Sequence, residues 1–268
     1  MVADSSSSKA LTYASYLKTE ELLDLQQPLS DGPEHDEMLF IIIHQVYELW
    51  FKQIIHELER LQVVLESNDS PASLATLKRI LTILKTLVSQ VDVLETMTPV
   101  SFSSFRSRLE SASGFQSAQF REVEFLLGHK KRSMLEHHPP GSRGAEQLKA
   151  RLDNSTVYDS FLRYLAANGF EIPASLLDRD YSQPIEPSAE VREILLQIYR
   201  QDPLRAMVCE RLIDLDEGLQ EWRYRHVKMV ERTIGSKIGT GGSEGALYLR
   251  KTLFRPLFPD LWAIRSEL

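Results

Sequence analysis

Apolar positions recur at helical spacing almost from end to end of the chain, and period-two alternation is nearly absent. The pattern predicts an all-α protein. A first long helix is expected from Pro33 to Glu66, apolar around most of its circumference in the middle and therefore placed inside a bundle. After Ser70 as N-cap and Pro71 at the first helical position, residues Leu77, Leu81, Leu84, Val88 and Val91 alternate spacings of four and three, the stripe of an antiparallel bundle. Pro99 is expected to stop that helix. The stretch from Ser111 to Gly114 interrupts the next helical segment, which resumes from Phe115 to Leu127 and ends at Gly128. Residues His137 to Gly144, rich in Pro, Gly and His, read as a linker. Helical patterns return at Thr156–Ala167, Pro187–Arg200 and Pro203–Ile234, the last ended by Gly235. Along that final helix Val208, Leu212, Leu215, Leu219 and Trp222 keep a four-three rhythm that runs on through His226 to Met229, so a histidine takes a core position. The organisation expected is a disordered tail over residues 1–10 followed by one helical domain over residues 11–268.

Composition narrows the function classes. The chain has 268 residues, 43% hydrophobic and 26% charged, ordinary values for a globular protein with a sizeable core. Uninterrupted apolar runs such as Leu39 to Ile43 fall far short of the roughly 20 residues that span a bilayer, and Met1 to Lys9 lacks the apolar core of a secretory signal. No membrane association and a cytoplasmic location are therefore expected. A net charge of -7, with basic residues scattered, argues against nucleic-acid binding. The densest basic run, Lys130, Lys131 and Arg132, is adequately explained as a solvated turn. The single cysteine, Cys209, excludes an internal disulfide and Cys-based metal clusters within one chain, leaving any metal to His and carboxylates.

Several residues have the chemistry to serve a site. His226 on its apolar stripe has the character of an axial haem ligand, and equally of a hydrogen-bonded core histidine. His44 shares a helix face with Phe40, Tyr47 and Phe51, which resembles an aromatic pocket with one polar handle. Glu48 lies one turn beyond His44, so a non-haem site of two histidines and a carboxylate is conceivable, but no HExxH motif is present. The segment from Gly235 to Gly245 holds five of the twelve glycines. It lacks a P-loop ending and follows a helix, so it reads better as a loop whose backbone approaches a ligand, with Thr240 supplying a hydroxyl. Arg106, beside Phe102 and Phe105, has the fork geometry to clamp a carboxylate.

Taken together, the segments Tyr13-Ala-Ser-Tyr16, Gln26-Gln-Pro-Leu-Ser30, His35-Asp-Glu-Met-Leu-Phe-Ile-Ile-Ile-His44, Glu48-Leu-Trp50, Phe105-Arg106, Ser113-Gly-Phe-Gln-Ser117, Arg225-His226 and Gly239-Thr-Gly-Gly-Ser243 resemble the tryptophan 2,3-dioxygenase family from about Leu11 to Trp262. The resemblance implies a helical homotetramer with one heme b (iron) per subunit, acting on tryptophan and O2 to give N-formylkynurenine. It implies that His226 is the proximal ligand, that His44 contacts the indole N–H, and that Arg106 binds the substrate carboxylate. Thr240 then holds the amino-acid ammonium or carboxylate, Phe40 and Phe102 wall the indole, and Ser113 and Gly114 flank bound oxygen. Tyr13 and Tyr16 match an N-terminal segment exchanged between subunits and reaching a neighbour's active site. Two positions depart from frequent family choices: Phe102, where some members have Tyr, and Glu244, where Ser is frequent. Glu244 keeps open a monooxygenase that forms an oxindole from tryptophan or a β-methyl-tryptophan-type substrate. A helical binding protein without catalysis is the remaining alternative.

Overall fold

The computed structural model describes residues 10–32, 34–240 and 245–268, and the described residues contain helices and turns but no strand. The helices are α1 (Tyr13–Leu17), α2 (Thr19–Leu23), α3 (Asp36–Glu66), α4 (Ser70–Leu94), α5 (Pro99–Phe105), α6 (Ala118–Leu126), α7 (Arg143–Asp153), α8 (Val157–Ala167), α9 (Ala174–Leu177), α10 (Ala189–Gln201), α11 (Pro203–Ile234), α12 (Ala246–Arg250) and α13 (Pro259–Ala263). The all-α expectation holds. Pro33, Glu244 and nearly all of the expected N-terminal tail lie outside the described residues.

Three long helices form the frame. Helix α4 packs against both α3 and α11, whose backbones do not pack closely on each other. Leu77, Leu84 and Leu87 of α4 meet Leu58, Leu61 and Leu65 of α3 and Leu212, Leu215 and Leu219 of α11 in one core cluster. Gly218 lets α11 come close to α4, since a Cβ there would lie 3.3 Å from Leu84 Cδ1. Arg225 fastens the same pair by ion pairs to Asp92 at 2.6 Å and Glu95 at 3.2 Å. Helix α3 is long enough, and over one 18-residue stretch apolar enough, to cross a bilayer, although its uninterrupted apolar runs are short. Here it packs against α4, α6 and α8 and carries the buried carboxylates Glu37 and Glu57.

Local chemistry corrects four details. Asp69, not Ser70, caps α4, its Oδ1 accepting from Ala72 N at 2.9 Å, because Asp69 is the residue whose backbone leaves the helical region there. Pro99 does not stop α4, which ends at Leu94; it opens α5 behind the N-cap Thr98, where its missing N–H costs nothing. The expected linker holds the start of α7, whose N-cap is Ser142. The basic run is not simply a solvated turn. Lys130 is only 6% exposed, and its Nζ donates to the carbonyls of Leu152 at 2.9 Å, Tyr181 at 2.7 Å and Asn154. Burial lowers its pKa to about 8.

The two ends of the chain are attached differently. At the C-terminal end, the buried Asp216 Oδ2 accepts from Leu257 N, Phe258 N and Trp262 Nε1. At the N-terminal end, α1 and α2 bury no residue, and Tyr13 and Tyr16 are 77% and 70% exposed. The segment is tied down only after α2, where Glu37 accepts from Leu29 N at 2.7 Å, from Ser30 N at 3.0 Å and from the Ser30 hydroxyl. Gln45 donates to Leu25 O at 3.1 Å.

Candidate active site

Because α4 separates the backbones of α3 and α11, side chains from α3, α5 and α11 converge at the end of the bundle. His44 projects from α3. Its Nδ1 lies 2.7 Å from Phe40 O, a carbonyl that can only accept, so the proton belongs on Nδ1 and Nε2 is left as an acceptor. Solvent reaches the ring, yet the surrounding protein disfavours its charged form. That desolvation outweighs the opposing influence of the Phe40 carbonyl and Glu48, and the pKa falls below its ordinary value. His44 is neutral at pH 7.

His226 projects from α11 into the same region. Its ring stacks on Trp222, one turn earlier, with centroids 5.3 Å apart and planes 4° from parallel. Burial, then the neighbouring His44 and Arg121, lowers its pKa to about 4. It makes no hydrogen bond among the described residues. The product is an oriented, neutral imidazole with an available nitrogen lone pair.

The wall beside His44 is aromatic. Phe40 lies 4.1 Å from the His44 ring, 5.8 Å from Phe102 and 5.6 Å from Phe105. Phe102 and Phe105 are buried with Ile43, Leu94 and Met97, and Met229 packs at the edge of that cluster. Of the two other aromatics expected on the His44 face, Tyr47 packs against both this cluster and the main core, and Phe51 against the main core alone. Phe51 lies in the main core against Phe120 and Trp222, and Tyr47 gives its hydroxyl proton to Leu87 O at 2.7 Å.

Arg106 and Thr240 lace the glycine segment to the α5 end of the site. Arg106 Nη2 donates to Ile238 O at 2.5 Å, and Thr240 Oγ1 donates to Ala112 O at 2.6 Å. Ser113 and Gln116 form a reciprocal cap around the turn that contains Gly114. Gly114 has an ordinary φ, and a Cβ on it would meet nothing within 4 Å. Tyr13 and Tyr16, exposed on α1, are not brought to this site within the chain. Sequence reasoning missed Trp222 and Phe105 as site residues. The i, i+4 spacing of Trp222 and His226 was the available signal for the first.

The donor set selects among metal groups. The described residues contain no cluster of three His, Cys, Asp or Glu able to hold a bare ion, and Glu48 Oε2 is engaged by Gln119 Nε2 at 2.9 Å. The non-haem triad therefore has no ligand set here. A porphyrin supplies four of its iron's bonds itself and asks of the protein an axial nitrogen and apolar walls. His226, with Phe40, Phe102 and Phe105 nearby, fits that demand.

Known proteins resemble this chain across these same residues. The family model described as tryptophan 2,3-dioxygenase matches residues 2–138 and 193–268. A protein of Herpetosiphon aurantiacus named tryptophan 2,3-dioxygenase is 60% identical over 97% of this chain and all of its own length. One of the same name from Anaeromyxobacter sp. (strain K) is 58% identical over the whole of both chains. An Arthrobacter sp. (strain FB24) protein, also so named, is 45% identical over 97% of this chain and 93% of its own. The matched stretches carry both histidines, Arg106 and the glycine segment, and the chain belongs to the tryptophan 2,3-dioxygenase family.

Proposed function

We propose that the chain, acting as one unit over residues 11–268, is a haem-dependent tryptophan 2,3-dioxygenase. It works as a cytoplasmic homotetramer that cleaves the indole C2–C3 bond of L-tryptophan with O2 to give N-formylkynurenine. The observation that carries this reading is the pair of neutral histidines, His44 and His226, presented from separate helices toward one aromatic-walled region.

His226 would hold the haem, and its low proton affinity keeps the nitrogen free for iron at neutral pH. The bound haem supplies the oxygen chemistry. The remaining work is orientation. His44 Nε2 accepts the indole N–H, because its proton sits on Nδ1. A neutral imidazole of lowered pKa is badly matched to deprotonating so weak an acid, so His44 positions the ring and is not an obligatory base. Phe40 and Phe102 exclude water from the indole, and Ser113 with Gly114 leaves room beside it for oxygen.

Arg106 and Thr240 bind the amino-acid end. Each now donates to a neutral backbone carbonyl. A substrate carboxylate is the stronger acceptor, since charge-assisted bonds contribute about 1.5–3 kcal/mol against roughly 1 for neutral ones. Substrate therefore competes for donors that tie the glycine segment in place, and occupancy and loop position are coupled. Tyr13 and Tyr16 complete a neighbouring subunit's site. Support comes from helices α1 and α2, each five residues long and burying nothing, which are too short to persist without a surface to dock on.

The test is turnover of tryptophan by haem-loaded protein under isotopically labelled O2, with the product weighed by mass spectrometry. N-formylkynurenine carrying two labelled oxygens is expected. An oxindole with one label would replace this reading by the monooxygenase, and absence of both product and Soret band would favour a binding protein.

A further inference from the structure

Away from the paired histidines, a cavity of about 230 Å³ opens between the turn after α6 and the segment after α12. Its wall is unusually cationic. Arg121, Lys131, Arg223 and Arg255 line it together with His129, against the single lining carboxylate of Glu124. Glu124 is already shared, pairing with Arg121 at 2.5 Å and with Arg223 at 2.8 Å. Asp216, in electrostatic contact with Arg223, spends one oxygen on three N–H donors. The remaining lining cation, Lys130, is committed to three backbone carbonyls.

Positive charge is thus left over. Lys131 and Arg255 have no ion-pair or side-chain hydrogen-bond partner among the described residues, and Lys131 titrates low, through burial and then repulsion by Arg255, Arg121 and Arg223 that outweighs Glu124. Arg121 is only 8% exposed, and its Nε is a buried donor with no acceptor. A buried guanidinium N–H left open is costly, and like charges held together repel. A multiply charged anion entering the cavity would offset that repulsion. Pro184, Ile185 and Pro256 add an apolar side suited to a carbon skeleton.

We propose that this cavity binds a small organic polyanion bearing carboxylate or phosphate groups, gripped by Arg121, Lys131 and Arg255, at a site separate from that of tryptophan. The occupant also has a route to the haem side. Arg121 packs over Phe120 at 5.3 Å and Phe120 lies 5.0 Å from Trp222, the ring stacked on His226.

The experiment is titration calorimetry on haem-loaded, full-length protein at low salt, with citrate and inorganic pyrophosphate as probes. One site per chain is expected for at least one probe, and the probe preferred tells a carboxylate occupant from a phosphate one. The variant carrying Lys131→Gln and Arg255→Gln, whose side chains make no hydrogen bond or ion pair among the described residues, should keep its melting temperature and haem content while Kd rises tenfold or more. Failure of both probes to bind overturns the proposal. So does unchanged affinity in the double variant, which would mean an adventitious ion only. Binding seen in haem-free protein and abolished by haem also overturns it, by assigning the cations to the haem's own carboxylates.

Discussion

Replacing Gly114 by alanine separates a glycine needed by the chain from one needed by a ligand. The residue has no left-handed φ, and an added Cβ would find nothing within 4 Å. The fold therefore gains from the change. Alanine restricts the unfolded chain, which is worth about 0.4–1 kcal/mol where no strain is introduced. For a chain of this length that raises Tm by roughly 1–4 °C. Turnover should move the other way. If substrate and oxygen occupy the open side of Gly114, the new methyl displaces them by about 1 Å, enough to cost on the order of a hundredfold in rate. The paired assays are a thermal melt of haem-free protein and steady-state oxidation of tryptophan by the haem-loaded form. Full activity in a protein with raised Tm would refute the placement of ligand beside Gly114. A lowered Tm would refute the claim that the turn itself tolerates a side chain.

Four further outcomes are expected. His226→Ala removes the axial-histidine signature from ferric and ferrous absorption spectra together with turnover; unchanged spectra would place the ligand elsewhere. His44→Ala loses one hydrogen bond of about 1–3 kcal/mol, so turnover falls roughly ten- to a hundredfold and the gap between tryptophan and 1-methyltryptophan narrows; total loss in a folded, haem-loaded variant would make His44 an essential catalyst. Arg106→Lys weakens tryptophan turnover strongly but costs tryptamine, which has no carboxylate, little; equal fractional losses would assign Arg106 a structural role. For Glu37, burial pushes the pKa up, but bonds from Ser30 and Leu29 and the charge of Arg108 hold it below the ordinary value of 4.5. Its contribution is complete above about 4.5 and is lost as pH falls through the folded value, so hydrogen exchange in residues 10–30 should accelerate in that acid range, and Glu37→Gln should show the fast exchange already at pH 7.

The long helices were legible in the sequence because their burial is continuous. In α11, Val208, Leu212, Leu215, Leu219 and Trp222 are all buried, as their rhythm demands. Helix α7 was not legible because only Leu148 and Leu152 of its eleven residues are buried, too few to print a period beside Gly144 and the preceding prolines. The site was half legible. His44 and His226 stand out as histidines on apolar faces, but periodicity cannot tell which aromatics on a face end in the site and which in the core. Tyr47 and Phe51 share His44's face, yet Tyr47 bridges the site's aromatic cluster and the main core while Phe51 belongs to the core against Trp222. Lys130 was misread for a related reason. Its acceptors are backbone carbonyls 22 to 51 residues away, and no side-chain pattern announces them.

That clasp has a consequence for how the molecule can change. The partners of Lys130 are main-chain oxygens at positions 152, 154 and 181, which every amino acid supplies, so those three sites can exchange side chains without loosening the knot. The restriction falls on the donor. An ammonium offers three diverging protons from a single point, whereas a guanidinium spreads its protons in a plane and a neutral amide carries only two. The clasp thus fixes one side chain and asks only a main-chain path of its partners: Leu152 is kept by its own burial in α7, and Asn154 and Tyr181 answer to the clasp only through their carbonyls.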